Sequence, residues 1–292
     1  MATSDLPGDL PSALREANPL LGLGYSKPLQ HRPLIRLDGM TATPGDAAVA
    51  EEVPVSLVYN MRPHVVMMAT PADLEDFATG FTLTEGIVEK AGQIVRLEVV
   101  RHAQGIEVQL EIAPDAADQL KSRGRSLIGR TGCGLCGVES IQDALRELKP
   151  VSDGPRISLD ALWRAEAQLP GLQLWNRETG SMHAAAWVGA DGVPGVVRED
   201  VGRHNALDKV IGALARAGKD PADGFVVLTS RASYELVQKA VSAGVRLIAA
   251  VSRPTGLAIR LAEATGLTLV ALLRGSSANV YAHGERLILP PS

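Results

Sequence analysis

From Arg198 onward the chain alternates strand and helix at short intervals, and no other feature narrows its fold as much. The helix GRHNALDKVIGALARAG, from about Gly202, is followed by the strand GFVVLTS, the helix SYELVQKAVSAG, the strand VRLIAAVS, the helix TGLAIRLAEATG and the strand LTLVALLR. Strands separated by single helices pair in parallel through right-handed crossovers. Ahead of them, MHAAAWVGADGVPGVVRED reads as two strands joined through Asp191-Gly192, a strong hairpin signal. The expected architecture is α/β: a three-layer domain around a mixed sheet over residues 138–292.

The preceding residues read differently. LIRLDG from Leu34, VPVSLVYN (Val53–Asn60) and HVVMMA (His64–Ala69) are rich in β-branched residues, as strands are. Thr70, Pro71 and Asp73 supply the cap, first-turn proline and acid of a helix through LEDFATGFTLTEG. VRLEVV and IEVQLEI form a strand pair around His102–Gly105, so residues 31–128 are expected to be a smaller β-rich subdomain with one helix. Residues 1–30 lack a period and read as a flexible leader. VESIQDALRELK (Val138–Lys149) repeats Ile141, Leu145 and Leu148 at helical spacing. After Pro150, Asp153-Gly154 and Pro155, a further helix begins at a Ser158 cap.

Composition excludes several classes. At 292 residues and 46% hydrophobic the chain can bury a core without staples, yet no apolar run approaches the roughly 20 residues of a membrane helix. The N-terminus has no basic region leading into an apolar stretch, so a cytoplasmic location is expected. A net charge of −4 and 3% aromatic residues argue against a nucleic-acid partner.

In α/β sheets ligands bind where strands end and helices begin. Those junctions are REDVGRHN, TSRAS, VSRPTG and LLRGSSAN, and each carries an arginine: Arg198 and Arg203, Arg231, Arg253, and Arg274. Guanidinium forks and free N–H groups at helix starts suit phosphate, so the expected guest is an anionic small molecule. Solvated or capping arginines are the plainer alternative. REDVGRHNALDK packs Arg198, Glu199, Asp200, Arg203, His204, Asn205, Asp208 and Lys209 into one stretch, which reads as a site or as a salt-bridged helix start facing water. His183 in GSMHAAAW is more often a hydrogen-bonded core residue than a catalyst.

Both cysteines of the chain, Cys133 and Cys136, lie in GRTGCGLCG, among Gly129, Gly132, Gly134 and Gly137. A structural zinc site needs further ligands, and a second CxxC is absent. A zinc deaminase would want His-x-Glu ahead of its cysteines, whereas Ala185 stands at the glutamate position and the order is reversed; no zinc is expected. A thioredoxin-like dithiol matches the spacing alone. A sulfur carrier matches more: a thiolate at a helix start beside Arg130 has a lowered pKa, and the glycines let residues 129–137 act as a mobile cysteine loop. Inert buried thiols remain the plain alternative.

TEGIV (Thr84–Val88), GRTGCGLCG, REDVGRHNALDKVIG, SRASYELVQKA, PTGLAIRLAEATGLTLVALLRG and NVY (Asn279–Tyr281) together resemble the FdhD/NarQ family, from about Leu34 to Leu289. The resemblance implies a sulfurtransferase that takes persulfide sulfur from a cysteine desulfurase and passes it to the molybdenum cofactor, bis-molybdopterin guanine dinucleotide, for formate dehydrogenase. It implies Cys133 as the persulfide carrier with Cys136 assisting, and a guanine-nucleotide contact over Leu272, Leu273, Arg274, Gly275, Ser276 and Ser277. Arg203, His204, Arg231 and Arg253 complete the expected cofactor site. A fold like that of cytidine deaminases without their zinc, and a homodimer, are implied as well. Two positions depart from the family pattern, with Leu272 near a common Phe and Arg253 where small residues are common. A cofactor-holding chaperone and a thiol-disulfide oxidoreductase are the competing classes.

Overall fold

The computed structural model describes residues 20–123 and 148–289. In the first part the strands are β1 (Leu29–Asp38), β2 (Thr41–Ala50), β3 (Val53–Tyr59), β4 (Arg62–Ala69), β5 (Ile94–His102) and β6 (Gly105–Ile112). The helices are α1 (Leu74–Thr84) and α2 (Pro114–Arg123). β4, β3, β6 and β5 form one sheet in that order, with β3 and β6 parallel at its centre. Val53, Val55, Leu57, Val108 and Leu110 pack from it against Phe77 and Phe81 of α1, an apolar layer removed from water.

Four expectations for this part are corrected. β1 starts at Leu29 rather than Leu34, and it pairs with an unforeseen β2 in a separate ribbon, Leu29 opposite Ala50 through Asp38 opposite Thr41. Residues 20–30 are packed rather than free. Gly22 donates to the Ala103 carbonyl at 2.6 Å, Arg101 reaches the Gly24 carbonyl at 2.9 Å, and Leu23 lies against the small-sheet core. The first helix starts at Leu74, past Pro71, and Asp73 gives it no side-chain cap. The subdomain also has two helices instead of one.

The second part contains β7 (Ile157–Ser158), α3 (Leu159–Leu172), α4 (Asn176–Thr179), β8 (His183–Gly189), β9 (Pro194–Asp200) and α5 (Arg203–Arg216). It continues through β10 (Gly224–Leu228), α6 (Tyr234–Ser242), β11 (Leu247–Ala250), α7 (Gly256–Thr265), β12 (Thr268–Arg274), β13 (Ser277–Ala282) and β14 (Leu287–Ile288). The six-stranded sheet runs β13-β12-β11-β10-β8-β9; β10, β11 and β12 are parallel, β8 and β13 run against them, and β9, antiparallel to β8, runs with them. This is the mixed sheet that the alternation implied. Ser158 caps α3, accepting from the Ala161 amide at 3.2 Å, and Gly192 turns the β8–β9 hairpin at φ 81°.

Strand alternation divides the interior in two. Val226, Leu228, Ile248 and Leu269 face Leu207, Leu236 and Ala258 of α5, α6 and α7, whereas Phe225, Val227, Leu247 and Val270 face Leu162 and Leu169 of α3. The result is three layers. The small subdomain joins this core through α1, which crosses α5 at two glycines. A Cβ on Gly80 would collide with the Asp208 carbonyl, and one on Gly212 with the Asp76 carbonyl, so the backbones meet where only glycine fits.

Candidate functional site

The loops leaving the C-terminal ends of the parallel strands are fastened to one another. The Thr255 amide donates to the Ala232 carbonyl at 3.0 Å, Ala232 bridges Pro254, and the Leu272 amide reaches the Ser252 carbonyl at 3.2 Å. These bonds hold Arg231 after β10, Arg253 after β11 and Arg274 at the end of β12 on neighbouring supports. All three are exposed, and their side chains make no hydrogen bond or ion pair with any described residue. Uncommitted guanidiniums on a braced edge can grip an anion without first breaking internal bonds.

At the same end, α5 begins at Gly202 and α6 at Ser233, neither with a side-chain cap, whereas Thr255 caps α7. Arg203 and His204 occupy the first turn of α5, where acids are usual. Glu235 of α6 answers them: His204 Nε2 lies 2.7 Å from its Oε2, and Arg203 Nη2 lies 3.9 Å away. Burial pushes the Glu235 carboxyl up, but His204 and Arg203 outweigh it and hold the group below its ordinary range. Arg203 keeps its Nε buried with no acceptor. His204 is 5% exposed, so it orients Glu235 and is closed to a large ligand. His183, half-buried on the β8 rung opposite Asp200, is pushed below its usual pKa by burial and then by Arg203 and His204. It is a neutral imidazole at neutral pH.

The charge-dense stretch Arg198–Lys209 is neither a ligand cradle nor a water-facing helix start. Asp200 and Lys209 are both fully buried and pair at 2.7 Å. Asp200 also accepts from the amides of Gly202 at 2.8 Å and Thr70 at 3.0 Å and from Asn205 Nδ2 at 3.0 Å. Thr70 Oγ1 accepts from the Val201 amide at 3.1 Å. Asp208 pairs with buried Lys239 at 2.9 Å and accepts from Thr84 at 2.7 Å, with Glu85 3.0 Å from the same ammonium. Arg198 pairs with Asp76 at 2.7 Å, and Glu199 accepts from the amides of Trp175 and Asn176. The stretch is therefore a buried knot between the two subdomains that fixes where Arg203 stands; its partners had been read otherwise, Thr70 as a helix cap and Thr84 and Glu85 as part of TEGIV.

The LLRGSS stretch divides by exposure. Leu273 is fully buried in the core beneath α3, which removes its side chain from any ligand contact. Leu272 is half-buried in a left-handed conformation, φ 55°, at an irregularity of the β12–β13 pairing. A non-glycine residue held there stores strain of the kind that gathers at binding sites. Arg274, Gly275, Ser276 and Ser277 are exposed at the turn, where Gly275 has φ 57°. Glu166 of α3, which sequence reasoning passed over, accepts from the Gly275 amide at 3.3 Å. Cys133, Cys136 and Arg130 lie outside the described residues, as does the expected helix 138–149 apart from residues 148 and 149, which are not helical. No group of metal-ligating side chains occurs among the described residues, and no described helix is long and apolar enough to cross a membrane.

Fold and site together define a mixed α/β protein whose main sheet ends in a braced row of free arginines. The chain belongs to the FdhD/NarQ family, whose sequence model matches residues 50–288. It is 51% identical over 243 residues to the sulfur carrier protein FdhD of Bordetella petrii, covering 83% of this chain and 87% of that one. The protein of that name from Cupriavidus necator is 54% identical over 239 residues, covering 82% and 83%. A crystal structure from Desulfotalea psychrophila, assigned as a formate dehydrogenase accessory protein, superimposes with a TM-score of 0.70 over 89% of this chain and 99% of that one; at 23% identity it speaks for the fold alone.

Proposed function

We propose that this chain is a sulfur carrier serving formate dehydrogenase, moving persulfide sulfur from a cysteine desulfurase to the bis-molybdopterin guanine dinucleotide form of the molybdenum cofactor. The observation that carries the reading is the identity, near one half over more than four-fifths of the chain, to relatives named sulfur carrier protein FdhD. The uncommitted Arg231, Arg253 and Arg274 support it, because such a cargo brings phosphates that need cationic, bidentate partners. Arg203 adds a buried Nε without an acceptor.

In the chemistry proposed, the Cys133 thiolate attacks the terminal sulfur of the desulfurase persulfide. The desulfurase thiolate leaves, and Cys133 holds the sulfur as its own persulfide with no net oxidation. On discharge the Cys136 thiolate attacks the inner Cys133 sulfur and expels the outer one as sulfide toward molybdenum. The two electrons leave with that sulfide, the cysteines end as a disulfide, and an external thiol resets them. The arginines hold phosphates and break no bonds. A cytoplasmic homodimer whose fold resembles that of cytidine deaminases completes the proposal.

The free arginines would equally serve a chaperone that holds the cofactor and transfers no sulfur. The two readings part on a Cys133→Ala/Cys136→Ala chain supplied to cells lacking the native carrier. A sulfurtransferase gives inactive formate dehydrogenase although the variant still binds GDP, whereas undiminished activity rejects sulfur transfer.

A further inference from the structure

The turn between β12 and β13 brings one carboxylate into a site otherwise furnished with cations. Glu166 projects from the middle of α3, and its Oε2 is anchored by the Gly275 amide at 3.3 Å. Its other oxygen has no described partner, and Glu166 makes no ion pair with a described residue, although Arg274 directly precedes Gly275. The anchoring turn is itself constrained, since Gly275 sits at φ 57°, a conformation that side-chain-bearing residues rarely adopt. Glu166 is thus a half-exposed carboxylate held at one oxygen, open at the other, on an exposed Arg-Gly-Ser-Ser turn.

Such a group reads donors. The Watson–Crick edge of guanine offers two, N1–H and the 2-amino group, to the two oxygens of a carboxylate. Hypoxanthine keeps only N1–H, and adenine turns an acceptor nitrogen toward the same place. The surrounding arginines serve phosphates of any nucleotide alike, so base identity must be read by a group of another kind. We propose that Glu166 is the base-reading residue of this site, selecting guanine over adenine nucleotides; this rests on the reading that the cargo carries a guanine nucleotide.

Calorimetric titration of the full chain with GDP, IDP and ADP, repeated on Glu166→Gln and Glu166→Ala, tests it. Glutamine keeps the shape and the Gly275 bond but turns one acceptor into a donor, and alanine removes both acceptors. The expected wild-type order is GDP tightest, roughly 10- to 100-fold over ADP, with IDP between, as hydrogen bonds to a charged group imply. In both variants GDP should fall to the level of ADP while ADP is unchanged. A guanine preference that survives both substitutions overturns the assignment and leaves the cargo reading standing, as does a parallel loss of GDP and ADP. Failure of the wild type to bind any of the three overturns the cargo reading itself.

Discussion

Replacing Lys209 by methionine tests whether the buried knot holds the two subdomains together. The ammonium is fully enclosed, 2.7 Å from Asp200, and also donates to the carbonyls of Thr70 at 3.2 Å and Glu199 at 3.3 Å. Methionine fills the same space but leaves the Asp200 carboxylate buried without a cation. Breaking such a pair costs about 3–5 kcal/mol. Because the amides of Thr70 and Gly202 and the Asn205 amide group still donate to Asp200, the lower end applies, about 3 kcal/mol. For a chain of this size that is a fall in Tm of about 6 °C. Urea unfolding and thermal melts of Lys209→Met, Asp200→Asn and the double variant read it directly. The double should cost less than the sum of the singles by at least about 1 kcal/mol, since the second substitution removes the stranded charge. A single variant costing under about 1 kcal/mol, or strict additivity, refutes the argument.

Three further outcomes follow from the geometry. Gly212→Ala should cost about 3 kcal/mol or more, because its Cβ meets the Asp76 carbonyl and comes within 2.8 Å of the Gly80 amide nitrogen; a melting point equal to wild type would show that α1 and α5 can part. Arg253→Ala should leave stability within about 0.5 kcal/mol and weaken GDP binding by roughly 3- to 10-fold, and an unchanged affinity removes Arg253 from the site. For His183 the folded pKa lies below the ordinary 6.5, so the unfolded chain takes up that proton first as pH falls and stability is lost from about pH 6.5 downward. His183→Gln should therefore flatten the dependence of unfolding free energy on pH between about 7 and 5, and an unaltered slope contradicts the burial argument.

The α/β half was legible because its signals are local. Each strand from β10 to β12 is a short apolar run, and the turns close on Gly192, Gly244 and Gly266 with φ of 81°, 80° and 73°. The β1–β2 ribbon was not, because Ile35, Leu37 and Met40 are 69%, 75% and 103% exposed and no face of it is buried enough to impose a pattern. The knot was unreadable for a different reason. Asp200 finds Thr70 across 130 residues, Asp208 finds Thr84 across 124, and Lys239 finds Thr84 across 155, so a charge run that reads in sequence as a site or as a water-facing helix start is in fact an interior knot. Of the expected site residues, exposed Arg231, Arg253 and Arg274 stand at strand ends because helix starts and Gly or Ser neighbours announce such ends. Leu273 was misjudged since the left-handed Leu272 breaks the alternation and returns Leu273 to the α3 face that Val270 occupies, and Glu166 gave no signal because it reaches the turn from a helix 109 residues earlier.

The central claim is that the two cysteines carry sulfur, and intact-protein mass spectrometry tests it most directly. Wild type, Cys133→Ala and Cys136→Ala would each be incubated with a cysteine desulfurase and cysteine, then weighed with and without reductant. The account predicts a reductant-labile gain of one sulfur atom on wild type that is absent from Cys133→Ala. No gain on any chain would contradict it, and a loss of two hydrogens from wild type alone would mark a thiol-disulfide oxidoreductase instead.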